Sequence, residues 1–339
     1  MPPGEARAST AGPAGPAGTA GTAGTAGTTG RAAGPGGGAP FVRRTFVSQP
    51  AAGQPAVGYQ RLAGKRLHGW GRRGEDSYSH QDLLRVIHQH RQALALEWID
   101  GLGLPTGSQA LEVGPGSGFM TTALAQREFI VAAADATPRM LDTTRQRAGA
   151  ADVTHRVRPL AADAHHLPFA DGSFRLVVAL GVVPWLRSAP LAVAEMTRVL
   201  EPGGYLVLNA DNSDRLALRL DPRHNPRWAP ARLYARSLLH SKGMLRPRQQ
   251  EPRITAHRLA DFDRILRATG LELLRRSTFG FGPFTMFGVP MTSARLGIRL
   301  NARLQRLADQ GMPGVRSAGA QYLVLARAPL AGRFVPAGR

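Results

Sequence analysis

One acidic residue and three glycines stand together in the stretch LEVGPGSGFM. Glu112 lies two residues before the spacing G-x-G-x-G, which Gly114, Gly116 and Gly118 form. Glycines at these positions let the backbone approach a ligand closely, although any tight strand-to-helix turn also uses glycine. A dinucleotide site would place a pyrophosphate on the next helix, and the carboxylate of Glu112 would repel it. The pattern instead favours a ligand that carries an ammonium and a sulfonium group.

Two further carboxylates follow at spacings that suit a nucleoside. Asp135 comes 17 residues after Gly118, where a carboxylate can accept hydrogen bonds from both hydroxyls of a ribose. That spacing alone would also suit NAD. Asp163, in the stretch AADAHHLPFADGSF, stands where its side chain could accept a hydrogen bond from an adenine amine.

Strands and helices alternate around these three acids. Apolar runs predict strands at 109–113, 129–134, 153–160, 174–180 and 205–209, with two later strands near 271–277 and 321–326. Helical patterns occupy 79–102, 119–127 and 189–200, and Thr137-Pro138 begins another helix. This alternation predicts a parallel α/β sheet. Sites in such sheets lie at the carboxyl ends of the strands, where Glu112, Asp135 and Asp163 fall.

Four segments, in this order, resemble the motifs of a known family: LEVGPGSG, ADATPRML, ADAHHLPFADGSF and VLEPGGYLVL. They are similar to the class I S-adenosylmethionine-dependent methyltransferases, and most of all to the methyltransferase type 11 domains of small-molecule and quinone-biosynthesis enzymes. The resemblance covers about residues 78–210 well and the later strands more loosely. It implies a Rossmann-like, seven-stranded, mostly parallel sheet flanked by helices, with lid insertions late in the chain.

The same resemblance implies a cofactor without phosphate, S-adenosylmethionine, and the residues that bind it. Glu112 and the glycine turn would face the methionine moiety, Asp135 the ribose, and Asp163 with its neighbour the adenine. The complete implied set is Glu112, Gly114, Pro115, Gly116, Gly118, Asp135, Ala136, Thr137, Met140, Asp163, Ala164 and Leu180. The sequence departs from the family at Arg175 and His165, where the family often has acidic residues.

The chain divides into a tail and one domain. Residues 1–57, rich in Ala, Gly, Thr and Pro, carry too few apolar side chains to join a core, and we predict that they are disordered. We assign 58–339 to the methyltransferase domain. Its parts are a helical cap at 78–104, a cofactor-binding core at 108–210, a basic lid insertion at 211–256, and C-terminal strands with a second insertion at 257–328.

No catalytic residue stands out, and methyl transfer does not require one. Holding the nucleophile, carbon and sulfur in line lowers the barrier without any acid or base. The candidates for a general base are Tyr78, His80 and His165. His88 and His90 would point about 200° apart on a helix, so they cannot converge on a metal ion. With no cysteine in the chain either, we predict no metal site.

The charge of the chain leaves its partners open. The net charge is +20, but 41 of the 43 basic residues are arginines, a bias that a GC-rich genome also produces. No apolar run is long enough to cross a membrane, and we expect a cytoplasmic location. A helix at 293–310 alternates leucines (296, 300, 304, 307) with arginines (295, 299, 303, 306), which suits either a helix packed on the sheet or a peripheral membrane contact.

The segments around the motifs favour a small, largely apolar acceptor. Residues 180–185 are almost wholly apolar, and FGFGPFTMFGVPM at 279–291 contains four phenylalanines, two methionines and no charge. Such a run is more often core than pocket, but its glycines and prolines argue against a packed helix or strand. An RNA methyltransferase is an alternative, although ALGVVPWLRS lacks the Asn-Pro-Pro-aromatic pattern of enzymes that methylate exocyclic amines of bases. A non-catalytic cofactor-binding relative is the third possibility.

Overall fold

Seven strands form the main sheet in the computed structural model, which describes residues 83–225, 228–231, 233–234, 255–287 and 289–330. The strands are β1 (Gln109–Val113), β2 (Ile130–Asp135), β3 (Val157–Ala161), β4 (Phe174–Ala179), β5 (Leu200–Asp211), β6 (Glu272–Phe279) and β9 (Gln321–Arg327). Two short strands, β7 (Thr285–Met286) and β8 (Val289–Pro290), pair separately as a hairpin. The predicted tail at 1–57 lies outside the described residues, as do Tyr78 and His80.

The order of the sheet is β3-β2-β1-β4-β5-β9-β6. β1 to β5 pair in parallel, whereas β9 lies antiparallel to both of its neighbours. The predicted seven-stranded, mostly parallel sheet is therefore confirmed. The chain winds outward in one direction through β2 and in the other through β4, which makes the space between the carboxyl ends of β1 and β4 a topological switch point, the place where such sheets bind ligands.

Helices cover both faces of the sheet. They are α1 (Leu83–Asp100), α2 (Phe119–Gln126), α3 (Pro138–Ala150), α4 (Ala189–Arg198), α5 (Leu216–Leu220), α6 (Leu259–Ala268) and α7 (Ala294–Asp309). Alternate residues of a strand serve opposite faces: Leu111 joins a core cluster with Met196 and Phe262, and Ala110 joins one with Trp98 and Leu124. Because both faces are buried, these strands are continuous apolar runs, as parallel strands require.

β5 is longer at both ends than the predicted 205–209. Pro202, Gly203 and Gly204 are residue types that usually interrupt a strand. Here they lie inside β5 as a bulge, where the register with β4 shifts. A Cβ added at Gly204 would lie 2.9 Å from the carbonyl oxygen of Glu201, so the bulge requires glycine there. At its other end, β5 continues to Asp211 because β9 pairs with it over that length.

The apolar segment at 279–291 divides into a buried part and an exposed part. Its first three phenylalanines, Phe279, Phe281 and Phe284, are buried. The remainder forms the β7–β8 hairpin and carries exposed apolar side chains. The sequence did not predict this hairpin, because the glycines and prolines of the segment argue against a strand. Phe281 and Phe284 join a small third core cluster to which the partly buried Leu300 and Leu304 of α7 belong.

α7 presents its predicted arginine face to solvent, since Arg295, Arg299, Arg303 and Arg306 are all exposed. The face opposite is more polar than the leucine stripe suggests. The amide of Phe281 donates to Asn301 Oδ1 at 2.7 Å, and the amide of Gly280 donates to Gln305 Oε1 at 3.1 Å. α7 is thus held to the chain beyond β6 partly by buried hydrogen bonds.

Candidate active site

The glycine turn joins β1 to α2 at the switch point. Gly114, Gly116 and Gly118 all have positive φ, at 69°, 55° and 77°, a region that side-chain-bearing residues rarely occupy. A Cβ added at Gly118 would lie 2.9 Å from the Cα of Thr144, so α3 crosses the turn closely. At Gly114 an added Cβ would lie 2.5 Å from Cγ2 of Val182. The turn therefore fits between two neighbouring segments only when these positions carry no side chain.

Glu112 carries a buried carboxylate, since the whole residue is only 3% exposed. The hydroxyl of Thr121, on α2, donates a hydrogen bond to its Oε2. Burial raises the pKa of Glu112 to about 7, and the nearby charge of Asp135 adds to this rise. The hydrogen bond from Thr121 and the positive charge of Arg91 act in the opposite direction without cancelling it. An ionised Glu112 thus lacks sufficient compensation from the protein, and a cationic ligand group would supply it.

Asp135 ends β2, next to the strand that carries Glu112. The amide of Thr137 donates to its Oδ1 at 2.8 Å, and this bond directs the carboxylate toward the turn that contains Gly116. Burial raises the pKa of Asp135, while hydrogen bonds from Thr137 and Gly116 lower it by less. Two partly desolvated carboxylates, Glu112 and Asp135, therefore meet at one glycine turn.

Asp163 lies two residues beyond β3 and is already engaged. His165 donates to its Oδ1 from the backbone at 2.9 Å and from ring Nδ1 at 2.6 Å, and Arg187 reaches its Oδ2 at 3.3 Å. Partial burial alone would raise the pKa of Asp163, but the hydrogen bonds from His165 and the positive charge of Arg187 hold it below its usual value. The carboxylate is ionised and fixed in place, and it retains acceptor capacity for a further donor.

His165 spans two loops with both of its ring nitrogens. Nδ1 faces Asp163, and Nε2 accepts the amide hydrogen of Ser188, the N-cap of α4, at 3.2 Å. This arrangement corresponds to a neutral ring protonated at Nδ1. Neither ring nitrogen is therefore available to a methyl-accepting substrate in this conformation, and the geometry favours a positioning role over the predicted catalytic one.

The remaining residues of the predicted cofactor set lie in the segments that follow β1 to β4. Thr137 is the N-cap of α3, and Met140 in its first turn is buried. Ala164 packs against the core cluster that contains Leu111, and Leu180 follows β4 directly. Pro115 lies in the glycine turn and Ala136 follows Asp135.

Three groups on the other side of the switch point do not appear among the predicted site residues. Asn209 accepts the amide hydrogen of Gly181 at 2.7 Å and so fixes the loop after β4. Arg91, on α1, reaches this loop, since a Cβ added at Gly181 would lie 3.1 Å from its Nη1. Asp211 ends β5; burial raises its pKa, and the charges of Arg215 and Arg91 lower it by less.

One sequence signal could have found Asp211. It is an acid at the carboxyl end of a parallel strand, as Glu112 and Asp135 are, but the predicted fifth strand ended two residues too early to reveal it. Arg91 gives no such signal, because it is one of many arginines in the chain. Among the described residues, no group of three or more His, Cys, Asp or Glu side chains could hold a metal ion.

Residues 111–208 match the family model described as a methyltransferase domain. The segment is therefore similar to this family of domains. The similarity that the four motifs indicate is confirmed for residues 111–208. The domain boundaries predicted outside this segment stay predictions.

Two named relatives match about a third of the chain. The malonyl-[acyl-carrier protein] O-methyltransferase of Serratia marcescens is 34% identical over 103 residues, 30% of this chain and 38% of that protein. The demethylmenaquinone methyltransferase of Deinococcus radiodurans is 36% identical over 102 residues, 30% of this chain and 42% of that protein. The chain therefore spans less than half of the length of these relatives.

A solved structure shares the fold over a longer stretch. Magnesium protoporphyrin IX methyltransferase from Synechocystis PCC 6803 superposes with a TM-score of 0.50 at 17% identity, covering 80% of this chain and 96% of that chain. The similarity at this level of identity concerns the fold.

Replacing Glu112 with Gln should stabilise the ligand-free protein more at pH 8 than at pH 5. A carboxyl whose folded pKa is about 7, against an ordinary 4.5, reduces stability as the pH rises between those values. The neutral amide does not titrate, so the advantage of the variant should grow by about 2–3 kcal/mol over this range. Chemical denaturation of both proteins at each pH measures it.

Glu201→Gln is the matched control, because it also removes one negative charge but from an exposed side chain. Its free energy of unfolding should follow that of the parent protein at both pH values. Equal pH dependence in the parent and Glu112→Gln proteins would show that Glu112 does not carry a raised pKa.

Proposed function

We propose that this protein transfers a methyl group from S-adenosylmethionine to a small, largely apolar or lipid-like acceptor. One observation carries the proposal: a buried carboxylate, Glu112, and a partly buried one, Asp135, meet at a glycine turn inside the segment that matches the methyltransferase domain. A pyrophosphate there would meet two negative charges in a poorly solvated space. A ligand with a cationic end and ribose hydroxyls would satisfy both carboxylates.

The residues present fit this cofactor. The three glycines leave the turn without side chains at their positions, and a Cβ added at Gly114 would collide with Val182. Glu112 and the amides of the turn would hold the methionine moiety, and Asp135 would accept from the ribose hydroxyls. Asp163 and Ala164 would border the adenine. When bound, S-adenosylmethionine supplies an electrophilic methyl group on a sulfonium sulfur.

The acceptor would bind on the β4 and β5 side of the switch point. The loop after β4 begins with Leu180 and Gly181 and continues with Val182, which are all partly exposed and would provide an apolar wall. An apolar wall suits a quinol, phenol or acyl chain and offers no partner to a phosphate backbone. The names of the two relatives above, one acting on a malonyl-acyl carrier and one on demethylmenaquinone, are consistent with such acceptors. A cytoplasmic location stays a prediction.

Asp211 is our candidate for a general base, in place of His165. It is a titratable side chain at the carboxyl end of β5, on the side opposite to Glu112 and Asp135. Burial raises its pKa toward the range in which a carboxylate accepts a proton efficiently. A hydroxyl or ammonium acceptor needs such a base, whereas an already ionised acceptor does not.

Replacing Asp135 with Ala should weaken the binding of S-adenosylmethionine by roughly 10- to 150-fold. The variant loses a charge-assisted, bidentate contact to the ribose hydroxyls, which contributes about 1.5–3 kcal/mol. Calorimetry measures the affinity, with Asp142→Ala, at an exposed acid on α3, as the control. Unchanged affinity in Asp135→Ala would remove Asp135 from the proposed cofactor site, and comparable binding of NAD by the parent protein would contradict the proposed cofactor.

A panel of acceptors tests the substrate class. We expect methyl transfer from S-adenosylmethionine to one or more quinols, phenols or lipid-like acids, and none to total RNA at low salt. The assay follows transfer of a labelled methyl group to each acceptor. Transfer to RNA alone, with a rate that falls steeply as salt is added, would replace the proposal with an RNA methyltransferase.

Replacing Asp211 with Asn should lower kcat by about 100-fold or more while the affinity for S-adenosylmethionine stays the same, because a general base contributes about 10²–10⁴-fold. In the parent protein kcat should fall as the pH drops below the raised pKa of Asp211, and the variant should lose this dependence. Asp214→Asn, at an exposed acid three residues further on, is the control. An unchanged kcat and pH profile in Asp211→Asn would exclude the role.

A further inference from the structure

Exposed apolar side chains cluster on and beside the β7–β8 hairpin. Phe287 and Val289, at its tip, are 64% and 66% exposed, far more than core residues of the same types. Exposed apolar residues also flank the hairpin on the chain that leads into α7 and on the segment around α5. We call the group the hairpin surface: Leu220, Trp228, Met286, Phe287, Val289, Met291 and Leu296.

The hairpin is held rigidly from beneath by one buried acid, Asp221, which is 0% exposed. Its Oδ2 accepts from the hydroxyl of Thr285 at 2.6 Å, and its Oδ1 accepts from the amide of Phe287 at 3.2 Å. Arg223 donates to the carbonyl oxygen of Phe287 at 2.9 Å. Both backbone polar groups of Phe287 are thus satisfied, and only its side chain is left to face outward.

The conformation of Phe287 also singles it out. Its φ is 52°, in the left-handed region, which is strained for a bulky residue. Glycine would occupy this position without strain. A large apolar side chain kept at a strained and exposed position does not serve the stability of the fold, which indicates a contact with something outside it.

Positive charge surrounds the hairpin surface. Within residues 216–225, 228–231, 233–234, 285–287 and 289–306, Asp221 is the single carboxylate, and it is buried. The same residues contain six exposed arginines: Arg219, Arg223, Arg295, Arg299, Arg303 and Arg306. None of the six forms an ion pair with a described residue. Exposed apolar side chains and arginines therefore alternate in these segments, and the next acid along α7 is Asp309 at its end.

We propose that the hairpin surface docks on an anionic lipid membrane. Phe287, Val289 and the other apolar side chains would enter the boundary between headgroups and acyl chains, while the arginines contact lipid phosphates. Charge complementarity alone would also fit RNA. Aliphatic side chains such as Val289, Met291 and Leu296 gain nothing from a phosphate backbone, however, and they gain free energy on leaving water for an acyl layer.

α1 connects the hairpin surface to the candidate active site. Its first turn packs against the segment just before the hairpin, since a Cβ added at Gly282 would lie 3.0 Å from Leu83, and against α7, since one at Gly297 would lie 3.5 Å from the same side chain. Arg91, eight residues further along α1, lies at the loop after β4. Eight helical residues span about 12 Å. A lipid-like acceptor held at the membrane would thus be within a short distance of the methyl-transfer side of the sheet, a consequence that rests on the proposed function.

Flotation of the full-length protein with lipid vesicles tests the docking without any acceptor or cofactor. We expect binding to vesicles of phosphatidylcholine with phosphatidylglycerol, and far weaker binding to phosphatidylcholine alone. Phe287→Gly combined with Val289→Ser should reduce the partition coefficient about tenfold or more. Arg295→Gln and Arg299→Gln should each reduce it about fivefold, and added salt should weaken binding of the parent protein.

Matched controls and a second readout separate docking from folding and from catalysis. Leu191→Ser and Arg264→Gln remove an exposed leucine and an exposed arginine elsewhere and should leave vesicle binding unchanged. Phe287→Gly should leave the melting temperature nearly unchanged, because it relieves the positive φ. Calorimetry with S-adenosylmethionine should give equal affinity in all variants, so that loss of docking and loss of cofactor binding are told apart.

Four results would overturn the proposal. They are no binding to anionic vesicles, binding that the hairpin and arginine variants leave unchanged, binding to RNA in preference to vesicles, and a dimer in solution that Phe287→Gly dissociates in a protein that does not bind vesicles. The last result would assign the hairpin surface to a second copy of this chain.

Discussion

The burial of negative charge at the switch point is the constraint on which the rest of the site depends. A carboxylate removed from water favours its neutral form unless a partner compensates it. Glu112 and Asp135 lie on adjacent parallel strands, and the charge of Asp135 raises the pKa of Glu112 further. The fold supplies part of the compensation through Thr121, Thr137 and the backbone at Gly116, and leaves the remainder to a ligand. A cationic ligand that compensates these charges would therefore gain binding free energy.

The sequence predicted these two carboxylates correctly as strand-end residues because the pattern that marks them lies within a few neighbouring positions. Acids at the ends of apolar strands, followed by a glycine turn or by Thr-Pro, need no knowledge of distant partners. Asp211 is also an acid at the end of a strand, but the sequence did not predict it as a site residue. The length of β5 is set by pairing between Asp211 and Gln321, 110 residues later in the chain. Strand ends that a non-local neighbour determines are not encoded in the apolar run itself.

The helix at 293–310 shows a second kind of limit. Its leucine stripe predicted the packed face, yet Leu296 is exposed, and Asn301 and Gln305 are buried. Those two side chains satisfy backbone amides just beyond β6, where the sheet no longer provides partners. A polar residue within a helical face is therefore ambiguous in sequence, because only the tertiary structure shows whether it meets water or an orphaned amide.

Arg91 unites the two halves of the site electrostatically. Its charge lowers the pKa of Glu112 on the cofactor side and of Asp211 on the opposite side. It is carried by α1, which packs through Leu83 and Ile87 against the segment just before the β7–β8 hairpin. Withdrawal of Arg91 would raise both pKa values further and would also remove its repulsion of a cationic ligand at Glu112. Because such coupling is reciprocal, binding of a cation at Glu112 and of a partner at the hairpin must each influence the other wherever both depend on the position of α1.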